Sequence, residues 1–128
     1  MVLFDNTTIL SLQMQEMKED ILGKLLQYVA AGGTNYSCGL KLPEEIIYRG
    51  CSHPDVVKKK PPIIFLSDGG NNDWGDHLQF VNRMKTIEPR MIFHTIMFGT
   101  NPTVAILEKM VGLGNGSFQH SLDEVQLA

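Results

Sequence analysis

The stretch Ile63-Ile64-Phe65-Leu66-Ser67-Asp68-Gly69-Gly70-Asn71-Asn72-Asp73 decides the fold class. Four apolar residues run without a polar break. Such a run is the mark of a strand covered on both faces in the middle of a parallel sheet. It ends abruptly in turn-forming, oxygen-bearing residues. In open α/β sheets ligands gather beyond the carboxyl ends of the strands, so Asp68 marks the functional end of the fold.

Toward the C-terminus, His77 to Ile87 reads as a helix with Leu78, Val81, Met84 and Lys85 at helical spacing. Pro89 stops it. Met91 to Phe98 reads as a strand ending at Gly99. Asn101 caps a helix through about Val111, with Pro102 at the favoured first position, and Gly112, Gly114 and Gly116 break it. Ser117 to His120 forms a short last strand, and Leu122 to Ala128 begins another helix. Toward the N-terminus, Val2-Leu3-Phe4 reads as a strand closed by the turn pair Asp5-Asn6. Thr7 to Leu12 forms a second strand or the lead-in to a helix. Met14, Met17, Ile21, Leu25 and Val29 then stripe an amphipathic helix over Gln13 to Ala31, stopped by Gly32-Gly33. Thr34 or Asn35 caps a helix from about Tyr36 to Ile47, with Pro43 a point of breakage. Residues 49–62 read as a loop whose lysines, Lys58 to Lys60, are solvated. This alternation predicts one α/β domain over residues 1–128. Its sheet is doubly wound and mainly parallel, with helices on both faces and right-handed crossovers.

Four segments, in this order and spacing, carry a resemblance. They are Phe4-Asp5, Gly32-Gly33-Thr34-Asn35, Ser67-Asp68-Gly69 and Ile96-Met97-Phe98-Gly99. Together they resemble the von Willebrand factor A (vWA) family, a Rossmann-like fold, over essentially the whole chain. The resemblance implies a protein-binding module with a metal ion-dependent adhesion site on top of the sheet. There Mg²⁺ is held by hydroxyl and carboxylate oxygens, and a partner protein's carboxylate completes the shell, as suits a hard octahedral cation. Thr34 matches the family's metal-coordinating threonine and Asp68 the aspartate that acts through water. Asn35 and Ser67 flank them. Asn71, Asp73 and Trp74 extend the same rim toward a partner.

The sequence departs from the family at its main ligands. No Asp-x-Ser-x-Ser precedes Gly32-Gly33-Thr34, and Val2 to Asp5 resembles the family's second strand, so the usual first strand is missing. Thr34 and Asp68 bring one formal charge between them. The expectation is a degenerate site without a cofactor, or an Mg²⁺ site completed by another segment or chain. A rival alignment uses Asp5 and Thr7 as ligands, and it requires Asp5 and Asp68 close together on adjacent strands. A missing central strand also leaves backbone groups without partners. Each buried unsatisfied group costs about 1–3 kcal/mol against a net stability of ~5–15 kcal/mol. The slot is therefore expected to be filled, either by Val2 to Phe4 pairing with Ile63 to Leu66 or by a homodimer through strand exchange or sheet pairing.

Other function classes find little support. The 128 residues carry a net charge of −3, which does not suit nucleic acid. No apolar run approaches the ~20 residues of a membrane span, and the N-terminus lacks a signal-peptide pattern. A cytoplasmic protein with reduced Cys38 and Cys51 is expected, with a disulfide between them as the alternative. His53, His77 and His120 show no metal-ligand spacing, and His94 reads as a core histidine bonded to backbone. No catalytic residue is assigned. There is no Gly-x-Ser-x-Gly elbow at Ser67, no P-loop and no Gly-x-Gly-x-x-Gly after a strand. Asp68, Asn71 and Asp73 lack the remaining positions of an EF-hand. A small doubly wound hydrolase is the alternative from another class.

Overall fold

The structure, a computed structural model, describes residues 2–4, 8–11, 23, 27, 33–50, 62–68, 70, 77–100 and 104–121. In chain order the elements are β1 (Val2–Phe4), β2 (Thr8–Ser11), α1 (Tyr36–Gly50), β3 (Pro62–Ser67), α2 (His77–Ile87), β4 (Ile92–Phe98), α3 (Val104–Gly114) and β5 (Asn115–Ser121). The expected helices over Gln13–Ala31 and Leu122–Ala128 lie outside the described residues, apart from Gly23 and Gln27.

β3, β4 and β5 form a parallel sheet in that order. Phe65 lies beside Thr95 and Ser67 beside Met97. A bulge between Phe93 and Thr95 interrupts the pairing of β4 with β5. β1 and β2 form a separate antiparallel hairpin, with Val2 opposite Ser11 and Leu3 opposite Leu10. Thr8 to Ser11 is thus a strand. Val2 to Phe4 pairs with it and not with Ile63 to Leu66.

The inner face of the sheet presents Phe65, Phe93, Thr95 and Met97, all buried. α1 covers it through the ring of Tyr36, which packs edge-on against Phe65 at 5.1 Å. α3 covers it through Leu107 and Met110, and the Thr95 hydroxyl donates to the Leu107 carbonyl at 3.5 Å. α2 lies between them and packs against both, burying Val81 and Met84. The two crossovers, β3 to β4 and β4 to β5, step in the same direction. With a common hand they must lie on the same face.

One expectation is corrected here: β3 is not covered on both faces. The described helices pack on the inner face of the sheet. Ile64 and Leu66 point to the outer face and are 59% and 48% exposed. The unbroken apolar run is real, but α1 covers only its alternate residues Phe65 and Ser67, and β4 is its one neighbouring strand among the described residues.

α1 passes through Pro43 without breaking. Proline there removes one backbone donor. Leu40 and Ile47, buried on either side of it, hold the helix in place. α3 likewise continues past Gly112 to Gly114, beyond the expected end at Val111. Asn115 (φ 53°) then takes the left-handed conformation that commonly ends helices. Gly114 and Gly116 are required by close approach. A Cβ at Gly114 would lie 2.2 Å from Phe93 Cβ, and one at Gly116 would lie 1.8 Å from the Phe93 carbonyl oxygen. Between α2 and β4, the Glu88 carboxylate accepts from the Arg90 backbone N–H (3.0 Å) and guanidinium (2.9 Å). The Arg90 bonds hold its carboxyl below the usual range.

Candidate functional site

The N-terminus of α1 is seated on the carboxyl end of β3. Asn35 is its N-cap, with Oδ1 accepting from the Cys38 N–H at 3.0 Å. Thr34 stands just outside the helix, half-buried. Tyr36, the first helical residue, is fully buried. Its hydroxyl and the Ser67 hydroxyl share a hydrogen bond of 2.7 Å. The neighbouring Ser37 Oγ lies 3.4 Å from His77 Nδ1 at the start of α2, and the Tyr36 ring packs edge-on to His77 at 5.4 Å. One strand end and two helix starts are thereby joined at one rim.

Asp68 follows Ser67 directly and is exposed, with Oδ1 accepting from the Gly70 N–H at 2.9 Å. The electrostatics agree with this placement. Burial pushes the Tyr36 phenol above its ordinary range, the bond from Ser67 opposes that, and the nearby Asp68 charge adds to it. Tyr36 is thus held neutral beneath the rim, below the exposed Asp68.

Of the residues expected here, Thr34, Asn35, Ser67 and Asp68 fall at this one end. Ser67 faces inward onto Tyr36 rather than up to the rim. Asn71, Asp73, Trp74 and Asp5 lie outside the described residues. β1 and β3 belong to separate sheets, which removes the adjacent strands that the rival ligand set of Asp5 and Thr7 requires. As ligands, Thr34 and Asp68 offer one carboxylate, and that carboxylate already accepts a backbone bond. This donor set fits a divalent cation poorly. Among the described residues no three His, Cys, Asp or Glu side chains gather closely enough to hold a metal ion.

Sequence reasoning overlooked Tyr36, Ser37 and His77. The available signal was position: Tyr36 and Ser37 directly follow the helix cap, and His77 opens the helix after β3. His94 does bond to backbone, with Nδ1 accepting from the Ser117 N–H at 3.2 Å, but it sits on the half-open outer face rather than in the core. Its ring supplies the acceptor opposite the bulge. His120 Nε2 meets the Gly99 carbonyl at 2.5 Å. Cys38 is half-buried on α1, and Cys51 lies outside the described residues. A cleft of about 330 Å³ lined by Glu44, Glu45, Tyr48, Arg49 and Ile87 lies toward the C-terminal ends of α1 and α2, away from the rim. No family model and no curated protein matches the chain.

Proposed function

We propose that this chain is a vWA-type protein-interaction module with a degenerate metal site. Its partner protein binds at the rim of Gly33-Thr34-Asn35, Asp68 to Trp74 and the loop after Gly99. The observation that carries this reading is the buried Tyr36–Ser67 bond. It clamps the Thr34–Asn35 turn beside the end of β3, where α/β folds place their ligands. The exposed Asp68 and the helix N-terminus present mixed polar groups there, suited to a protein surface. The polar groups beneath suit bracing better than catalysis. His77 is 4% exposed and its contact with Ser37 is long, whereas a nucleophile and its base need a short, accessible pairing. No helix among the described residues is long and apolar enough to cross a membrane.

Site-specific photo-crosslinking tests the surface. A photoreactive residue at Asn35 is expected to give one discrete protein adduct in cells, and one at Ile46, on the far half of α1, none. Adducts from Ile46 alone, or equally from both, would reject the rim. Thermal melting tests the metal. With Mg²⁺ raised to about 10 mM, a site of ~0.1 mM affinity would add about 2.7 kcal/mol. No shift in Tm is expected, and a saturable rise of several degrees would restore a working Mg²⁺ site.

A further inference from the structure

α3 ends at Gly114, and Asn115 carries the chain into β5 with a φ of 53°. Asparagine and aspartate are the residues besides glycine that visit this left-handed backbone, because their short side chains bond locally. Asn115 is exposed. Gly116 follows it, and no other asparagine of the chain is followed by glycine. Gly116 has no Cβ to shield its backbone nitrogen from the Asn115 amide. The main chain on both sides is pinned, since a Cβ at either Gly114 or Gly116 would run into Phe93. The turn lies at the amino end of β5, the opposite end of the parallel sheet from the rim.

We propose that Asn115–Gly116 is a site of spontaneous deamidation whose main product loosens β5. The Gly116 backbone nitrogen gives up its proton and attacks Cγ of Asn115. A bond from that nitrogen to Cγ forms, the bond from Cγ to the side-chain nitrogen breaks, and ammonia leaves with the proton. The result is a five-membered succinimide. Water then opens the ring at one of its two carbonyls. Cleavage of the new bond leaves aspartate on an unchanged main chain. Cleavage of the original peptide bond leaves isoaspartate, whose main chain runs through Cβ and Cγ and is one carbon longer. Water is the only co-reactant, and both products exchange a neutral amide for a carboxylate. Aspartate tolerates the left-handed turn as asparagine does. Isoaspartate adds a methylene group to the main chain between Gly114 and Gly116, where Phe93 leaves no room for a shift. The isoaspartyl chain therefore loses the pairing of Asn115 with Phe93 that starts β5, and the aspartyl chain keeps it.

Peptide mapping of the full chain tests the reaction. Trypsin cuts after Lys109 and leaves residues 110–128 as one peptide, in which Asn115 is the one asparagine. The chain is held in mildly alkaline buffer, folded and, in parallel, unfolded in urea. Asn115 is expected to convert in the folded chain within about tenfold of its rate in the unfolded one, because an exposed turn opens at small free-energy cost. It is also expected to convert ahead of every other asparagine, with isoaspartate the larger product. Urea unfolding then compares the purified isoaspartyl chain with N115D. Both carry the same charge, so the difference between them reads the longer main chain alone. The isoaspartyl chain is expected to unfold at clearly lower urea. Protection of Asn115 beyond tenfold in the folded chain would overturn the proposal. So would earlier conversion of another asparagine, or an isoaspartyl chain as stable as N115D. The reaction uses neither Thr34, Asn35 nor Asp68, so none of these results bears on partner binding at the rim.

Discussion

The two faces of the β3–β5 sheet are built from the same three strands, yet they differ as core differs from surface. On the inner face Phe65, Phe93 and Met97 lie under three helices and are fully or nearly buried. On the outer face Ile64 and Leu66 are exposed, and Ile92, His94, Ile96 and Phe98 are half-buried. Strand composition does not distinguish the faces, since both are apolar. What distinguishes them is the path of the chain, because two crossovers stepping in one direction leave their helices on one side. The inner face therefore holds the core.

The comparison breaks first at the inner side of the α3–β5 turn. Gly116→Ala would push a methyl group into the Phe93 carbonyl and is expected to prevent folding or to cost about 3 kcal/mol or more. Gly112→Ala, in open space on α3, is expected to stabilise by about 0.5–1 kcal/mol. Urea unfolding of both separates close approach from helix stopping. If Gly116→Ala is tolerated, the packing of this turn is wrong.

A contrast across β4 and β3 follows. Met97→Ala removes a fully buried side chain and is expected to cost about 2–5 kcal/mol. Ile64→Thr, read by denaturant unfolding at dilute protein, is expected to stay within about 0.5 kcal/mol. Equal losses would mean that the outer face is as well covered as the inner.

Smaller effects probe single polar groups. Tyr36→Phe takes one partner from the buried Ser67 bond and is expected to cost about 1 kcal/mol. It also changes the alkaline response. In the unfolded chain Tyr36 loses its proton near pH 10, while in the folded chain burial holds the proton on. Stability from this group is full below that pH and is lost as pH rises past it. Thermal melts above pH 10 should show this slope in the unaltered chain and a weaker one in Tyr36→Phe. His94→Leu leaves the Ser117 N–H without its ring acceptor and is expected to cost about 1 kcal/mol, since water partly reaches this site. His94→Asn, able to accept the same bond, should cost less.

Much of this fold could be read from periodicity. His77 to Ile87 and the strand ending at Phe98 follow directly from their patterns. The α1 cap at Asn35 follows from its chemistry. Alternation of strands and helices foretold a parallel sheet. Burial on both faces of Ile63 to Leu66 was misread because an uninterrupted apolar run looks the same whether one face of the strand or both are covered. The end of α3 was misread because glycine breaks helices in general, whereas Gly114 and Gly116 serve a close approach to Phe93 that only tertiary contact reveals. The rim was legible as a place, through Thr34 and Asp68. The Tyr36–Ser67 clamp and the Ser37–His77 contact beneath it join residues 31 and 40 positions apart, and no local pattern announces them.

Thiol labelling tests the difference between the two faces most directly. In a background with Cys38→Ser and Cys51→Ser, Leu66→Cys and Met97→Cys place one thiol on each face of the sheet. At sub-micromolar protein, the thiol at position 66 is expected to react within about tenfold of the rate in the unfolded chain. The thiol at position 97 is expected to react only through unfolding, slower by several orders of magnitude. Equal protection of both thiols would contradict the difference between the buried inner face and the exposed outer residues of β3.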